Sequence, residues 1–341
     1  VCSSDLYIFK RDLVTKGKTD LTIIGIYFAM HVCLFQTDEG ISSDVADSEN
    51  VEGLPKHGDS IAHLHAILMY MMPAKTLREH ISDAQKSKTA IGHFNASTLD
   101  GIWAIADAAR GLDLPVIVGV SEGERDYVGV REAAAIVKSI REGRNQAIFL
   151  NADHTYSFDR VKEAIDAGFD MVIFDGAQLS LDENIKITKQ CVDYAREVSK
   201  KTGRDILVEG ELGFIGTSSK ILDSIPEGAA VGEANLTKAA DASRYAKETG
   251  IDLIAPAIGN IHGVVRGGDP DLNIPRAKEI ADTVKIPLVL HGASGNSAED
   301  IQKAVKAGVA IVHVNTELRI AYRSGLMKSL SDNREEVAPY K

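Results

Sequence analysis

Three histidines stand where an apolar, strand-like run ends: His154 after Ile148–Asp153, His262 after Leu253–Ile261, and His291 after Pro287–Leu290. An imidazole directly behind such a run must find polar partners where the chain leaves a sheet. In parallel α/β folds that edge, the C-terminal end of the strands, is where active sites are built. Three neutral imidazoles converging there, with a fourth position open, describe a catalytic zinc site. Any one of them alone reads as a hydrogen-bonded strand-end residue. Three in register read as ligands.

The other strand ends deliver a matching set. They carry Asn95, Ser121 with Glu122, Asp153, Asp175, Glu209 with Glu211, Gly263, Gly292 with Ser294, and Asn315 with Thr316. Carboxylates at such positions are unfavourable unless paired or hydrogen-bonded, so Asp153, Asp175 and Glu211 point to a cation. Gly263, the run Gly292–Gly295 and the pair Asn315 and Thr316 are small or hydroxyl-bearing, which lets backbone N–H groups approach an anion. The region after the last two strands of a barrel commonly binds phosphate. Beside a metal site, this suggests a phosphorylated substrate.

The elements that position these residues repeat a helix, a glycine and a strand, with junctions at Gly111, Gly168, Gly203, Gly250 and Gly308. Glycine after a helix accepts the left-handed conformation that ends it. Ile102, Ile105 and Ala109, and again Val161, Ala164 and Ile165, keep helical spacing. Ser157 and Ser297 are expected N-caps, with Asp300 completing a capping box. Eight strands are expected: Ala90–Asn95, Pro115–Ser121, Ala147–Asp153, Met171–Gly176, Ile206–Leu212, Leu253–Gly259, Pro287–Gly292 and Ile311–Thr316. Eight βα units in about 250 residues specify an α/β TIM barrel. A doubly wound open sheet fits less well, because the first strand ends in Gly92–Asn95 rather than a glycine-rich dinucleotide turn. The long connection from Gly213 to about Asn235 belongs on the rim of the site.

Bulk properties narrow the function classes. With 341 residues and a formal net charge of −11, the chain lacks the basic face a nucleic-acid partner needs. Leu21–Phe35 is apolar but short for a membrane span. Cys2, Cys33 and Cys191 share no metal-ligand spacing and are too few for a disulfide framework, which suits a reducing, cytoplasmic compartment. Residues 1–71 do not share the pattern of the rest. They are expected to be a disordered or non-native extension, with the barrel occupying 72–341.

From Met72 onward the chain resembles the class II, metal-dependent ketose-bisphosphate aldolases, the fructose-bisphosphate and tagatose-bisphosphate family. The resemblance rests on Gly92–Asn95, Val120–Gly123, Asp153 with His154, Phe174–Gly176, Val208–Gly213, Gly259–Gly263, Leu290–Gly295 and Val314–Leu318. It implies that His154, His262 and His291 hold Zn2+, and that Asp153 is the proton-transferring acid/base. Asp175 and Glu211 match positions for a second or alternative divalent metal, and a monovalent cation fits the same pattern. Gly263, Gly292, Ala293 and Ser294 would bind dihydroxyacetone phosphate, with His313, Val314, Asn315 and Thr316 completing that site. Asn95 would join the substrate contacts, Ser121 would face the other phosphate, and Arg266 stands where the family usually has lysine. The implied reaction is reversible cleavage of fructose 1,6-bisphosphate, or of tagatose 1,6-bisphosphate, in the carbohydrate metabolism of a homo-oligomer, dimer or tetramer.

Three features depart from that pattern. His313 replaces a common asparagine, the glycine-rich loop lacks its usual acidic pair and leaves Asp223 and Glu227 as substitutes, and the chain is expected to lack its last helix. Two competing readings are a barrel metal hydrolase and a non-catalytic barrel. No lysine lies in any expected strand, which argues against a Schiff-base route needing a desolvated amine.

Overall fold

The computed structural model of the chain describes residues 75–217, 219–229 and 232–338; the expected extension at 1–71 lies outside these. The first described helix, α1 (Leu77–Ser87), opens on a capping box in which Thr76 and Glu79 satisfy each other's backbone N–H groups. Its Leu77, Ile81 and Ala84 pack into the same buried cluster as Ile91, Ile117, Phe149, Leu207, Leu253, Val289 and Ile311. These are the first inward-facing residues of the strands, so α1 plugs the N-terminal end of the barrel. The opposite mouth is left for chemistry.

That barrel is closed and parallel, in the order β1-β10-β9-β7-β5-β4-β3-β2. Its strands are β1 (Ile91–Asn95), β2 (Val116–Val120), β3 (Ile148–Thr155), β4 (Met171–Phe174), β5 (Leu207–Leu212), β7 (Leu253–Pro256), β9 (Leu288–Leu290) and β10 (Val309–Val314). All eight expected strands are present, as a TIM barrel requires. The ends differ: β4, β7 and β9 leave the ladder earlier than their apolar runs suggest, and β10 begins earlier. Helices follow the strands: α2 (Leu99–Leu112), α3 (Glu122–Val128), α4 (Val130–Arg144), α5 (Phe158–Ala167), α6 (Leu181–Thr202), α7 (Ala239–Thr249), α8 (Ile274–Val284), α9 (Ala298–Ala307) and α10 (Thr316–Asp332). The eighth unit has its helix, α10. Ser157 and Ser297 cap α5 and α9 as expected. Asp300, however, accepts the Ser297 hydroxyl instead of reaching back to its backbone.

Strand side chains alternate faces. The inward set runs from apolar to polar toward the open mouth: Ile91, His93, Asn95 in β1; Phe149, Asn151, Asp153 in β3; Leu207, Glu209, Glu211 in β5; Ile311, His313 in β10. The outward set, with Val116, Val118, Leu150, Val172 and Val208, packs under the helices in the main core cluster. Two short strands in the rim connections, β6 (Ile221–Leu222) and β8 (Val264–Val265), pair in parallel and tie the loops after β5 and β7 together.

One glycine makes the polar layer possible. A Cβ on Gly119 would come 2.1 Å from His93 Cε1 and 2.6 Å from its Nε2. Gly119→Ala must push a fully buried imidazole aside, and is expected to destabilise the fold by roughly 1–3 kcal/mol. Urea unfolding checks this; an unchanged midpoint would show that His93 has room to move.

Candidate active site

The mouth of the barrel opens on a cavity of about 260 Å³ lined by residues from almost every strand end. At its centre the three strand-end histidines meet. The ring centroids of His154 lie 4.6 Å from His262 and 4.8 Å from His291, and His262 and His291 are 6.0 Å apart. Each ring has one nitrogen tied to an acceptor. His262 Nδ1 donates to the Gly216 carbonyl at 2.6 Å, and His291 Nε2 to Glu209 Oε1 at 2.7 Å. His154 Nδ1 faces Asp175 Oδ2 at 3.0 Å and Glu211 Oε2 at 3.1 Å. A carbonyl or carboxylate accepts only, so these partners fix the tautomers. They leave His154 Nε2 and His291 Nδ1 facing each other at 3.1 Å. Two imidazole lone pairs at that distance repel unless a proton or a metal cation lies between them.

The donor set fits a metal. One nitrogen from each of the three rings lies within 4.8 Å of the others. Tetrahedral zinc with bonds of ~2.0–2.1 Å separates its ligand nitrogens by about 3.3 Å. Backing of each ligating imidazole by a carboxylate or carbonyl is the arrangement that orients metal-bound histidines. Asp175 and Glu211 share one histidine nitrogen and form a second possible group with it.

His154 reaches its place through backbone strain. It sits at φ 37°, and the β3–β4 register shifts between Ala152 and Thr155. A non-glycine residue in the left-handed region costs of order 1–3 kcal/mol, and bulges that re-aim side chains cluster beside active sites. The shift turns both Asp153 and His154 into the mouth.

Asp153 is 2 % exposed and accepts from Asn95 Nδ2 at 2.8 Å. Its other oxygen lies 3.5 Å from His313 Nδ1 and 3.7 Å from His154 Nε2. Burial alone would raise its carboxyl, but His154, His313 and His93 hold it well below the usual carboxylate range. Burial likewise opposes protonation of His154, yet Asp153, Glu211 and Asp175 raise it well above the usual imidazole value. Burial and the neighbouring imidazoles push His262 down to about 3. Burial, followed by Asp175, raises Glu211.

A middle layer lies beneath this cluster, where His93 and Asn151 join the expected His313. His93 stacks on His313 with centroids 3.4 Å apart, and His313 on His291 at 4.0 Å. Asn151 Nδ2 lies 3.0 Å from His93 Nε2. Burial lowers His93 to about 4, so this ring is neutral. The missed signal was alternation: in each strand these residues lie two before a strand-end site residue.

Gly263, Gly292, Ser294, His313, Asn315 and Thr316 all line the cavity, as do Asn95 and Ser121. Ala293 and Val314 are buried behind it, and Ala293 N–H donates to the His313 carbonyl at 3.1 Å. Ser294 Oγ accepts from the N–H groups of Asn315 and Glu317, fixing the start of α10 at the cavity wall. Helix N-termini carry unpaired N–H groups and partial positive charge, which suits an anion. Arg266 is exposed, pairs with Asp223 at 2.9 Å and is not among the residues that line the cavity. Glu227 is exposed as well, and among the described residues of this loop Thr217 and Ser219 line the cavity.

A family model for class-II fructose-bisphosphate aldolase matches residues 75–341. The chain belongs to the class-II fructose-bisphosphate aldolase family. It is 35% identical over 273 residues to the fructose-bisphosphate aldolase of Geobacillus stearothermophilus, covering 79% of this chain and 90% of the relative. A Staphylococcus epidermidis fructose-bisphosphate aldolase is 34% identical over the same length, with 79% and 91% covered. Among solved structures, the YdjI aldolase from Escherichia coli K12 superposes with a TM-score of 0.63 at 28% identity, covering 78% of this chain and 88% of that one. Membership makes the protein an enzyme of the class II aldolase type, acting on a phosphorylated sugar. No helix among the described residues is long and apolar enough to cross a membrane.

Proposed function

We propose that the protein catalyses reversible aldol cleavage of a ketose phosphate to dihydroxyacetone phosphate and an aldehyde. The observation that carries this is the convergence of three histidine nitrogens on one point beside a buried, ionised Asp153. A zinc ion held by His154, His262 and His291 would supply Lewis-acid stabilisation of the enediolate formed when the C3–C4 bond breaks. Asp153 removes the C4 hydroxyl proton in cleavage and returns it in condensation. Asn95 holds the carboxylate of Asp153 toward the cavity through their 2.8 Å bond. The start of α10, with Gly263, Gly292, Ser294, Asn315 and Thr316, takes the phosphate of dihydroxyacetone phosphate. The relatives' names make fructose 1,6-bisphosphate the first sugar to assay, and its C4 epimer tagatose 1,6-bisphosphate the second.

No lysine lies in any of the eight barrel strands, which supports a route without a Schiff base. Incubation with dihydroxyacetone phosphate and borohydride is expected to leave the protein mass unchanged while the ketose phosphate is still cleaved. A mass increase on any lysine would overturn the reading.

A further inference from the structure

The bulge that aims Asp153 and His154 is gripped by a side chain that the site does not otherwise use. Arg125, from α3, is 1 % exposed and is the bulkiest fully buried side chain among the described residues. Its Nη1 donates to the Val120 carbonyl at 2.7 Å and to the Asp153 carbonyl at 3.2 Å, and its Nη2 donates to Thr155 Oγ1 at 2.9 Å. None of these acceptors is a carboxylate. Burial pushes the guanidinium below the usual arginine range, yet arginine keeps its charge in proteins. A buried cation with no bonded counter-charge is a cost to the fold, and such departures are concentrated at functional sites.

The three acceptors frame the bulge. The β2–β3 ladder ends where Val120 pairs with Ala152, and the β3–β4 register shifts between Ala152 and Thr155. Inside that shift His154 takes φ 37°. Thr155 Oγ1, which accepts from Arg125, itself donates to the Ala152 carbonyl at 3.4 Å and so bridges the two sides of the shift. The donors of a guanidinium point in fixed directions in one plane. One side chain therefore sets the end of β2, the Asp153 carbonyl and Thr155 in a single geometry. Strained backbone persists only where its surroundings over-determine it. The same helix holds the segment twice more. Glu122 Oε1 accepts from the Tyr156 N–H at 2.9 Å, and Glu124 Oε2 accepts at 2.9 Å from Asn95 Nδ2, the group that also donates to Asp153.

We propose that Arg125 is a positioning residue for the aldol reaction, its fork holding the β3 bulge in the strained form that turns the Asp153 carboxylate and the His154 imidazole into the mouth together. The inference rests on the aldolase reading above and deepens it. Arg125 is not among the residues that line the cavity. Its effect passes through the backbone of residues 153–155.

The test uses the full chain carrying Arg125→Met, which keeps the bulk of the side chain but loses the fork, or Thr155→Val, which removes one arm and leaves the guanidinium in place. Zinc affinity of the metal-stripped protein is read by competition with a chromophoric chelator. Values of kcat and KM at saturating zinc are read on whichever of the two ketose bisphosphates the wild type cleaves, and stability is read from urea unfolding. Arg125→Met is expected to bind zinc roughly 10–100-fold more weakly, the range for outer partners of a metal ligand. Its kcat is expected to fall by roughly 10²-fold, the effect of a misplacement of about 1 Å, while KM, set by the phosphate contacts, changes far less. Thr155→Val is expected to move zinc affinity and kcat in the same direction by a smaller factor. A lower urea midpoint with wild-type zinc affinity and kcat in the folded protein would make Arg125 a residue of the fold alone and overturn the proposal. If Arg125→Met does not fold, Thr155→Val decides, and unchanged zinc affinity and kcat there overturn it equally. A wild-type protein that neither binds zinc nor cleaves either sugar would overturn the aldolase reading itself, and this inference with it.

Discussion

Asp153→Ala is expected to retain the fold and the metal while losing roughly 10²–10⁴-fold in turnover, the usual worth of a positioned acid/base. The residue is buried, its carboxylate is held ionised by the surrounding imidazoles, and Asn95 fixes its orientation. It is also the strand-end acid 3.7 Å from His154 Nε2. Steady-state cleavage rates together with elemental analysis check the prediction. If metal leaves along with activity, Asp153 belongs to the metal-holding set and the proton-transfer role must pass to another group.

His262→Ala is expected to have the other large effect, through the metal itself. It leaves two imidazoles of the three, and a zinc site with two protein ligands is far weaker. The loss should exceed the roughly 10–100-fold that outer partners of a ligand are worth. Alanine also deletes the bond from His262 Nδ1 to the Gly216 carbonyl, so a loss of stability of about 1–3 kcal/mol is expected beside the loss of metal. Desalted variant protein should therefore carry little zinc while still unfolding cooperatively in urea. A full complement of zinc would remove His262 from the ligand set.

The barrel and its three strand-end histidines were legible in the sequence because each histidine lies where a run of apolar residues stops. Such an edge is visible without knowing what packs against it. His93 and Asn151 lie inside their strands, and only closure of the barrel turns every second residue toward the axis. Motif matching alone does not reveal that His93 and His313 stack, since they meet through the pairing of β1 with β10. The position of Arg266 was hidden for a related reason. It follows Gly263 closely in sequence, but the β6–β8 pairing diverts the chain away from the mouth. The Glu124–Arg319 pair joins α3 to α10, a contact that no local pattern announces.

The central claim is that a single metal held by His154, His262 and His291 is required for aldol chemistry. The most direct measurement is to strip the full-length protein with a chelator, remove the chelator, and titrate zinc back while following cleavage of fructose 1,6-bisphosphate and condensation with glyceraldehyde. The account predicts that both activities vanish on stripping and return in proportion to zinc, saturating at one ion per chain. Full turnover by protein shown by elemental analysis to be free of divalent metal would contradict it.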